Sequence, residues 1–232
     1  MRRLELALPT PAENLALDEA LLEWAEDEGP EWEFLRVWES PQPVVVVGRS
    51  SRVEKEVAET ACRERGIAIL RRSSGGAAIV AGPGCLMYAL VLSYKLRPEL
   101  KDIRRAHAEI LGRFSRSLQQ PLAGIGVVTQ AGTSDLVFVG TGGPVAAATK
   151  PPAPRKFSGN SLRAKRSHLL YHGTLLYNFD LKLIASCLQM PPRQPDYRDG
   201  GAGAGRGGTE RGGGAVADPS RSARTRGRVD AG

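Results

Sequence analysis

An α/β fold, with one mixed and largely antiparallel sheet and helices packed against it, is predicted by three features of this 232-residue chain. Helical segments with capping signals carry apolar residues at helical spacing. Short runs rich in Val, Ile and Leu are bounded by Gly, Pro and Ser turns. The two kinds of segment are interleaved along the chain, which is the pattern of helices covering a sheet.

Thr10-Pro11-Ala12-Glu13 is a capping box with proline at the first helical position, and Leu17, Leu21, Trp24 and Ala25 follow at helical spacing until Gly29-Pro30. Asp18 and Glu19 read as its solvated face. Strands are expected over 33–38 and 43–48, the second a valine run of the kind buried on both faces. Residues 53–65 return to helical spacing and stop at Gly66. Strands over 67–70, 77–81 and 86–94 are separated by a Ser/Gly segment and by Gly82-Pro83-Gly84. Ile103, Ala106, Ile110, Phe114 and Leu118 mark a long amphipathic helix. Strands follow near 125–129, 134–139, 156–163 and 169–178, and Asp180-Leu181 opens a short helix with Leu183, Ile184 and Leu188.

Two segments leave this rhythm. Residues 140–155 are mostly Gly, Ala, Thr and Pro, with no large apolar side chain after Val145, and read as a flexible insertion. From Gly200 onward the composition is dominated by Gly, Arg and Ala, with Val216 and Val229 as the branched aliphatics, so 200–232 is expected to be a disordered tail and 1–199 the catalytic domain.

The formal net charge is +7, but the tail carries six arginines against three acids, leaving +4 over residues 1–199. That mild basicity suits an anionic small molecule or an acidic protein partner and does not require nucleic acid. Cys62, Cys85 and Cys187 are odd in number and form no C-x-x-C pair, so neither a disulfide framework nor a zinc site is indicated and a reducing cytoplasm fits. No apolar run approaches the ~20 residues of a membrane-spanning helix.

The chemistry concentrates in two places. Arg71-Arg72-Ser73-Ser74-Gly75-Gly76-Ala77-Ala78 lies between two expected strands, where glycines let backbone amides approach a phosphate or carboxylate. Taken alone, such a loop also reads as a tight turn with solvated arginines. Lys156-Phe157-Ser158-Gly159-Asn160-Ser161-Leu162-Arg163 and Tyr171-His172-Gly173-Thr174-Leu175-Leu176 form a β-ribbon that gathers a cation and several polar groups.

Together with Ser134-Asp135-Leu136, these segments resemble the lipoate-protein ligase family, within the larger set of biotin ligases and lipoyl or octanoyl transferases. The family pattern is R-R-x-S-G-G-G-A-V, then N-D-L, then K-x-S-G-S-A-x-R and H-H-G-T-L-L. Asn14-Leu15-Ala16-Leu17-Asp18-Glu19-Ala20, Arg36-Val37-Trp38 and Val47-Gly48-Arg49 look like its opening helix and first strands. The resemblance runs over about residues 12–199 and implies a class II synthetase or biotin ligase-like fold.

It also implies a two-step reaction in which lipoate and MgATP give lipoyl-AMP, and the acyl group then passes to a lysine of an acceptor domain. Such domains are the E2 subunits of 2-oxoacid dehydrogenases and the glycine cleavage H protein. By this resemblance Lys156 is the catalytic cation and Arg72, Ser74, Gly75, Gly76 and Ala77 cradle the carboxylate and phosphate. Trp38, with Val45 and Val47, would line an acyl channel. Asp135 would contact the nucleotide or Mg²⁺, or orient Lys156 as its counter-ion. Ser158, Gly159, Arg163 and His172 would face the same ligand.

The departures open other readings. Ala77 replaces the family's third glycine, and Ala81-Gly82 and Cys85 replace its His-Asp and Asn. Gly82-Pro83-Gly84-Cys85-Leu86 looks like the Gly-Pro-Gly-Gln-Leu of octanoyl transferases. In those enzymes a cysteine takes octanoate from acyl carrier protein, a role for which Cys187 and Cys85 are the candidates, although Cys187 beside Ile184 and Leu188 also reads as core. Pro195-Asp196-Tyr197-Arg198 resembles the family's P-x-Y-R segment, but the match stops at Gly200, as after a reading-frame shift. An inactive homologue is therefore a third expectation. The length leaves no room for a separate C-terminal domain, so an accessory subunit is also expected.

Overall fold

A computed structural model describes residues 1–140 and 154–189, which lie within the compact unit Met1–Gly201. Most of the expected 140–155 insertion, the Pro195–Arg198 segment and the 200–232 tail fall outside the described residues.

The described strands form two sheets, the larger of them the mixed, largely antiparallel sheet expected. The larger has β1 (Arg2–Leu4), β2 (Phe34–Glu39), β6 (Cys85–Ser93), β10 (His168–Leu176), β9 (Arg155–Ala164), β8 (Asp135–Gly140) and β7 (Gly126–Ala131) side by side in that order. Only its β1–β2 pair is parallel. The smaller sheet centres β3 (Val44–Val47) between a parallel β4 (Ala68–Arg71) and an antiparallel β5 (Ile79–Ala81). Val44–Val47 are buried on both faces of β3, as the valine run predicts.

Helix α4 (Ile103–Gln119) starts at Asp102, whose carboxylate accepts from Arg105 N at 2.8 Å. Its Ala106, Ile110 and Leu111 lie in a core with Tyr88, Leu90, Leu92, Leu136, Leu169 and Tyr171 on one face of the large sheet. Ile103, expected on that stripe, is 55% exposed. Helices α3 (Glu59–Glu64) and α5 (Leu181–Cys187) cover the far face of the small sheet, where Cys62 and Cys187 join Val45, Val47, Val57 and Val80. The helix expected over 53–65 is broken into α2 (Val53–Glu56) and α3. At the break Val57 bridges Leu188 and Ala58 N donates to Cys187 O at 2.8 Å, so tertiary bonds replace helical ones.

Helix α1 (Pro11–Glu28) lies against the other face of the large sheet and begins with the predicted capping box. Its buried stripe is Asn14, Asp18, Leu22 and Ala25, shifted from the apolar one expected, and Trp24 is 40% exposed. The cause is Arg36 on β2, which is fully buried. Its Nη1 donates to Asp18 Oδ1 at 2.5 Å and to Asn14 O at 3.0 Å, its Nη2 to Asn14 Oδ1 and its Nε to Leu6 O at 2.8 Å. Trp38 Nε1 donates to Asp18 Oδ2 at 3.1 Å. A buried guanidinium needs a carboxylate and carbonyls around it, so Asp18 is the opposite of a solvated side chain. Among the described residues no helix is long and apolar enough to cross a membrane.

Removing one partner of a buried ion pair leaves an uncompensated charge, so Asp18→Ala should cost about 3–5 kcal/mol. Urea unfolding of the variant against the wild type measures it; a loss comparable to that of an exposed Glu→Ala change would contradict the role given to Asp18.

Candidate active site

The 72–78 loop leaves β4 and crosses toward β9 and β10. Arg72 holds it from within: Nε donates to Ser74 Oγ and Gly75 O at 3.1 Å each, Nη1 to Val46 O at 3.2 Å, and Nη2 to Gly75 O at 2.6 Å and Ala77 O at 2.9 Å. Burial lowers its pKa to about 10 against the opposing pull of Glu56, and it remains a cation at neutral pH. Gly76 has φ +88°, and a Cβ there would stand 2.9 Å from Arg72 Nη2, so both the backbone conformation and the buried guanidinium require glycine.

The loop is fastened on both sides. Toward the small sheet, Arg49 N donates to Ser74 O at 2.8 Å, Ser51 Oγ to Gly76 O at 3.1 Å, and Ala78 N to Glu56 Oε2 at 2.7 Å. Toward the large sheet, Ser161 Oγ donates to Gly75 O at 2.8 Å, and Ser74 Oγ lies 2.5 Å from His172 Nε2. Ser161 and His172 are register partners on β9 and β10, so both side chains rise from one face. Burial, with Arg72 adding to it, pushes His172 down to about 3, so its ring is neutral near pH 7.

Lys156 reaches the same face because of a bulge. Asp135 pairs with Gly159 and Leu136 with Ser158, but Val137 pairs with Lys156, two steps on β8 against three on β9. The extra residue reverses the alternation, so Lys156 Nζ meets Asp135 Oδ1 at 2.8 Å beside Gly159. A Cβ on Gly159 would approach Lys156 Nζ to 3.2 Å, a tight contact, so the glycine of the Ser-Gly pair lets the ammonium lie close to the strand. The Lys156 side chain is 34% exposed and that of Asp135 10%.

These placements sort the residues expected to bind a ligand. Lys156, Asp135 and Gly159 meet at one point. In the loop, Gly76 and Ala77 are exposed, and space is open where a Gly75 side chain would stand. The accessible cradle is therefore backbone, and Arg72, Ser74 and His172 support it from beneath, being only 9%, 1% and 8% exposed. Three expectations are corrected. Arg163 turns to α1, where it pairs with Glu19 and, at 3.4 Å, with Glu23. Ser158 is 1% exposed on the opposite face, 3.1 Å from Asn160 Nδ2. Trp38 shares a core with Val44 and Val46, whereas Val45 and Val47 point to the other side of β3, so they do not line one channel with it.

The cysteines are unsuited to nucleophilic attack. All three have no exposed surface, and burial raises Cys85 to about 12 and Cys62 to about 11. Cys187 faces the small-sheet core. The residues that sequence reasoning missed are Ser161, Glu56 and Asn160, polar side chains whose partners lie far along the chain. Among the described residues no group of three or more His, Cys, Asp or Glu side chains is placed to hold a metal ion.

Residues 10–204 match the family model for the lipoyl protein ligase A/B catalytic domain. The octanoyltransferase LipM of Oceanobacillus iheyensis is 28% identical over 197 residues, covering 80% of this chain and 67% of the relative. The lipoate-protein ligase LplJ of Bacillus subtilis is 25% identical over 181 residues, covering 78% of this chain and 46% of that ligase. The chain thus spans about half the length of this ligase and two thirds of the transferase. A Thermoplasma acidophilum structure described as a lipoate protein ligase with bound lipoic acid superposes with TM-score 0.63 at 21% identity, over 81% of this chain and 72% of that one, a likeness of fold.

Because the folded-state pKa of His172 is depressed, the unfolded chain binds a proton that the folded chain refuses between about pH 6.5 and about 3. Stability should therefore fall through that window as pH drops, by about 1.4 kcal/mol per unit from this group. Urea unfolding at pH 7 and 5 checks it: His172→Asn should show a shallower loss than wild type, and equal losses would contradict the buried neutral ring.

Proposed function

The chain belongs to the lipoyl protein ligase A/B catalytic-domain family, and we propose that within it the protein is a lipoate-protein ligase. It joins lipoate to ATP as lipoyl-AMP and passes the acyl group to a lysine of a lipoyl-acceptor domain. The observation that carries this reading is the Lys156–Asp135 pair at 2.8 Å, set by the bulge on the face that also carries the loop's anchors Ser161 and His172.

In the first step a lipoate carboxylate oxygen attacks the α-phosphorus of ATP, and pyrophosphate leaves. In the second an acceptor amine attacks the acyl carbonyl, an amide forms, AMP leaves and the amine's proton is lost to solvent. Both steps build negative charge on oxygen, which Lys156 answers as a fixed cation while Asp135 holds the ammonium in place. The Gly75–Ala77 backbone offers amides to the carboxylate and phosphate without a side chain in the way. Mg²⁺ enters as part of the MgATP substrate, where phosphates and water supply most of its ligands and Asp135 is the neighbouring carboxylate. Lipoyl domains of E2 subunits and the glycine cleavage H protein are the proposed acceptors, an accessory subunit the proposed partner and the cytoplasm the proposed location.

A second reading, octanoyl transfer from acyl carrier protein, is favoured by the similarity to LipM. The buried state of all three cysteines weighs against it, since transfer through a thioester needs an accessible thiolate.

The two readings separate when purified protein is given an apo acceptor domain with either lipoate and MgATP or octanoyl-acyl carrier protein. ATP-dependent lipoylation is expected, and Lys156→Ala should lower its rate by about 10²- to 10³-fold. ATP-independent transfer of octanoate, lost in Cys85→Ala or Cys187→Ala, would replace the ligase reading with the transferase one.

A further inference from the structure

Asn160 follows the Ser-Gly pair on β9 and makes bonds that the reaction chemistry above does not use. Its Nδ2 donates to Ser134 O at 2.8 Å and to Ser158 Oγ at 3.1 Å, and its Oδ1 accepts from Tyr88 OH. A backbone carbonyl can only accept, so the amide nitrogen must face Ser134 and the oxygen must face the phenol. The Tyr88 ring is 2% exposed, and burial holds its hydroxyl well above the ordinary range, so it stays a donor.

The carboxamide sits in space that another residue leaves open. A Cβ on Gly173, the register partner of Asn160, would stand 1.9 Å from Asn160 Oδ1 and 2.8 Å from its Cγ. Gly173 therefore admits Asn160, Tyr88 orients it, and its free end grips the peptide immediately before Asp135. Asp135 is paired with Gly159 in the ladder and with Lys156 by charge.

We propose that Asn160 is a positioning residue for Lys156: its carboxamide clamps the Ser134 carbonyl, and so fixes the peptide that delivers the Asp135 carboxylate to the lysine ammonium. The effect crosses the sheet, because Asn160 lies on the α4 side with Tyr88 and Gly173 while Lys156 and Asp135 lie on the opposite one. Replacing the amide nitrogen with an oxygen puts like dipoles together at Ser134, and adding a methyl at Gly173 evicts the carboxamide.

The kinetic arm of the test rests on the ligase reading, and the labelling arm does not. Lys156 acetylation by sulfosuccinimidyl acetate is followed by mass spectrometry, with Lys95, which pairs with Glu31 elsewhere, as internal standard. In Asn160→Asp and Gly173→Ala the Lys156-to-Lys95 labelling ratio should rise roughly threefold, the scale of loosening a partly exposed ion pair. If neither variant folds, Tyr88→Phe, which removes only the hydroxyl on Oδ1, should raise the ratio in the same direction. In the ligase assay kcat should fall about tenfold while KM for lipoate and ATP stays within about twofold, as expected for misplacement of a catalytic group. An unchanged ratio in folded variants, or an equal rise at Lys95, overturns the proposal. Absence of ligase turnover in wild type would sink the ligase reading and leave the labelling result to decide the role of Asn160.

Discussion

The seating of one guanidinium joins the two sheets. Arg72 is turned inward among the carbonyls of Val46, Gly75 and Ala77, and this folds the loop so that Gly75 O reaches Ser161 and Ser74 reaches His172. A buried cation is costly unless each donor finds an acceptor, and the loop can supply those acceptors only in a narrow set of conformations. The charge thus specifies a shape. The shape leaves a stretch of backbone facing outward, and a neutral His172 beneath it avoids a second positive charge beside Arg72.

The second constraint is local. Between the Leu136–Ser158 and Val137–Lys156 pairs of the ladder, a single unpaired position on β9 is what moves the lysine to the other side. Gly159 then makes room for the ammonium, and Gly173 makes room for Asn160 on the opposite face. Adjacent glycines on paired strands therefore serve unrelated purposes, one for an ion pair and one for a carboxamide.

Much of this was legible in the chain. Capping at Thr10, the valine run of β3 and the ribbon of β9 and β10 followed from short-range chemistry, and the motif order pointed to the family. The Lys156–Asp135 pair was among the alternatives read for Asp135. What escaped depends on partners distant in sequence. Asp18 looked solvated because nothing near it announces Arg36, which arrives from a strand 18 residues on. Arg163 looked like a ligand-binding cation because it closes the motif that Lys156 opens, yet α1 presents Glu19 and Glu23 to it. The helix over 53–65 broke because Val57 and Ala58 found bonds to the far end of α5. Ser74 and His172 were expected to face a ligand, and both lie buried beneath the loop.

The bulge also sets a rule of counting. Which side Lys156 takes is set where the ladder pairs Phe138 with Arg155 and Val137 with Lys156. Between Lys156 and Gly159 the parity of the chain decides everything, and one residue more or fewer would send the ammonium to the α4 side of the sheet. Length is thus quantised over three residues of ribbon, which is a sharper description of the motif than the identities of its letters.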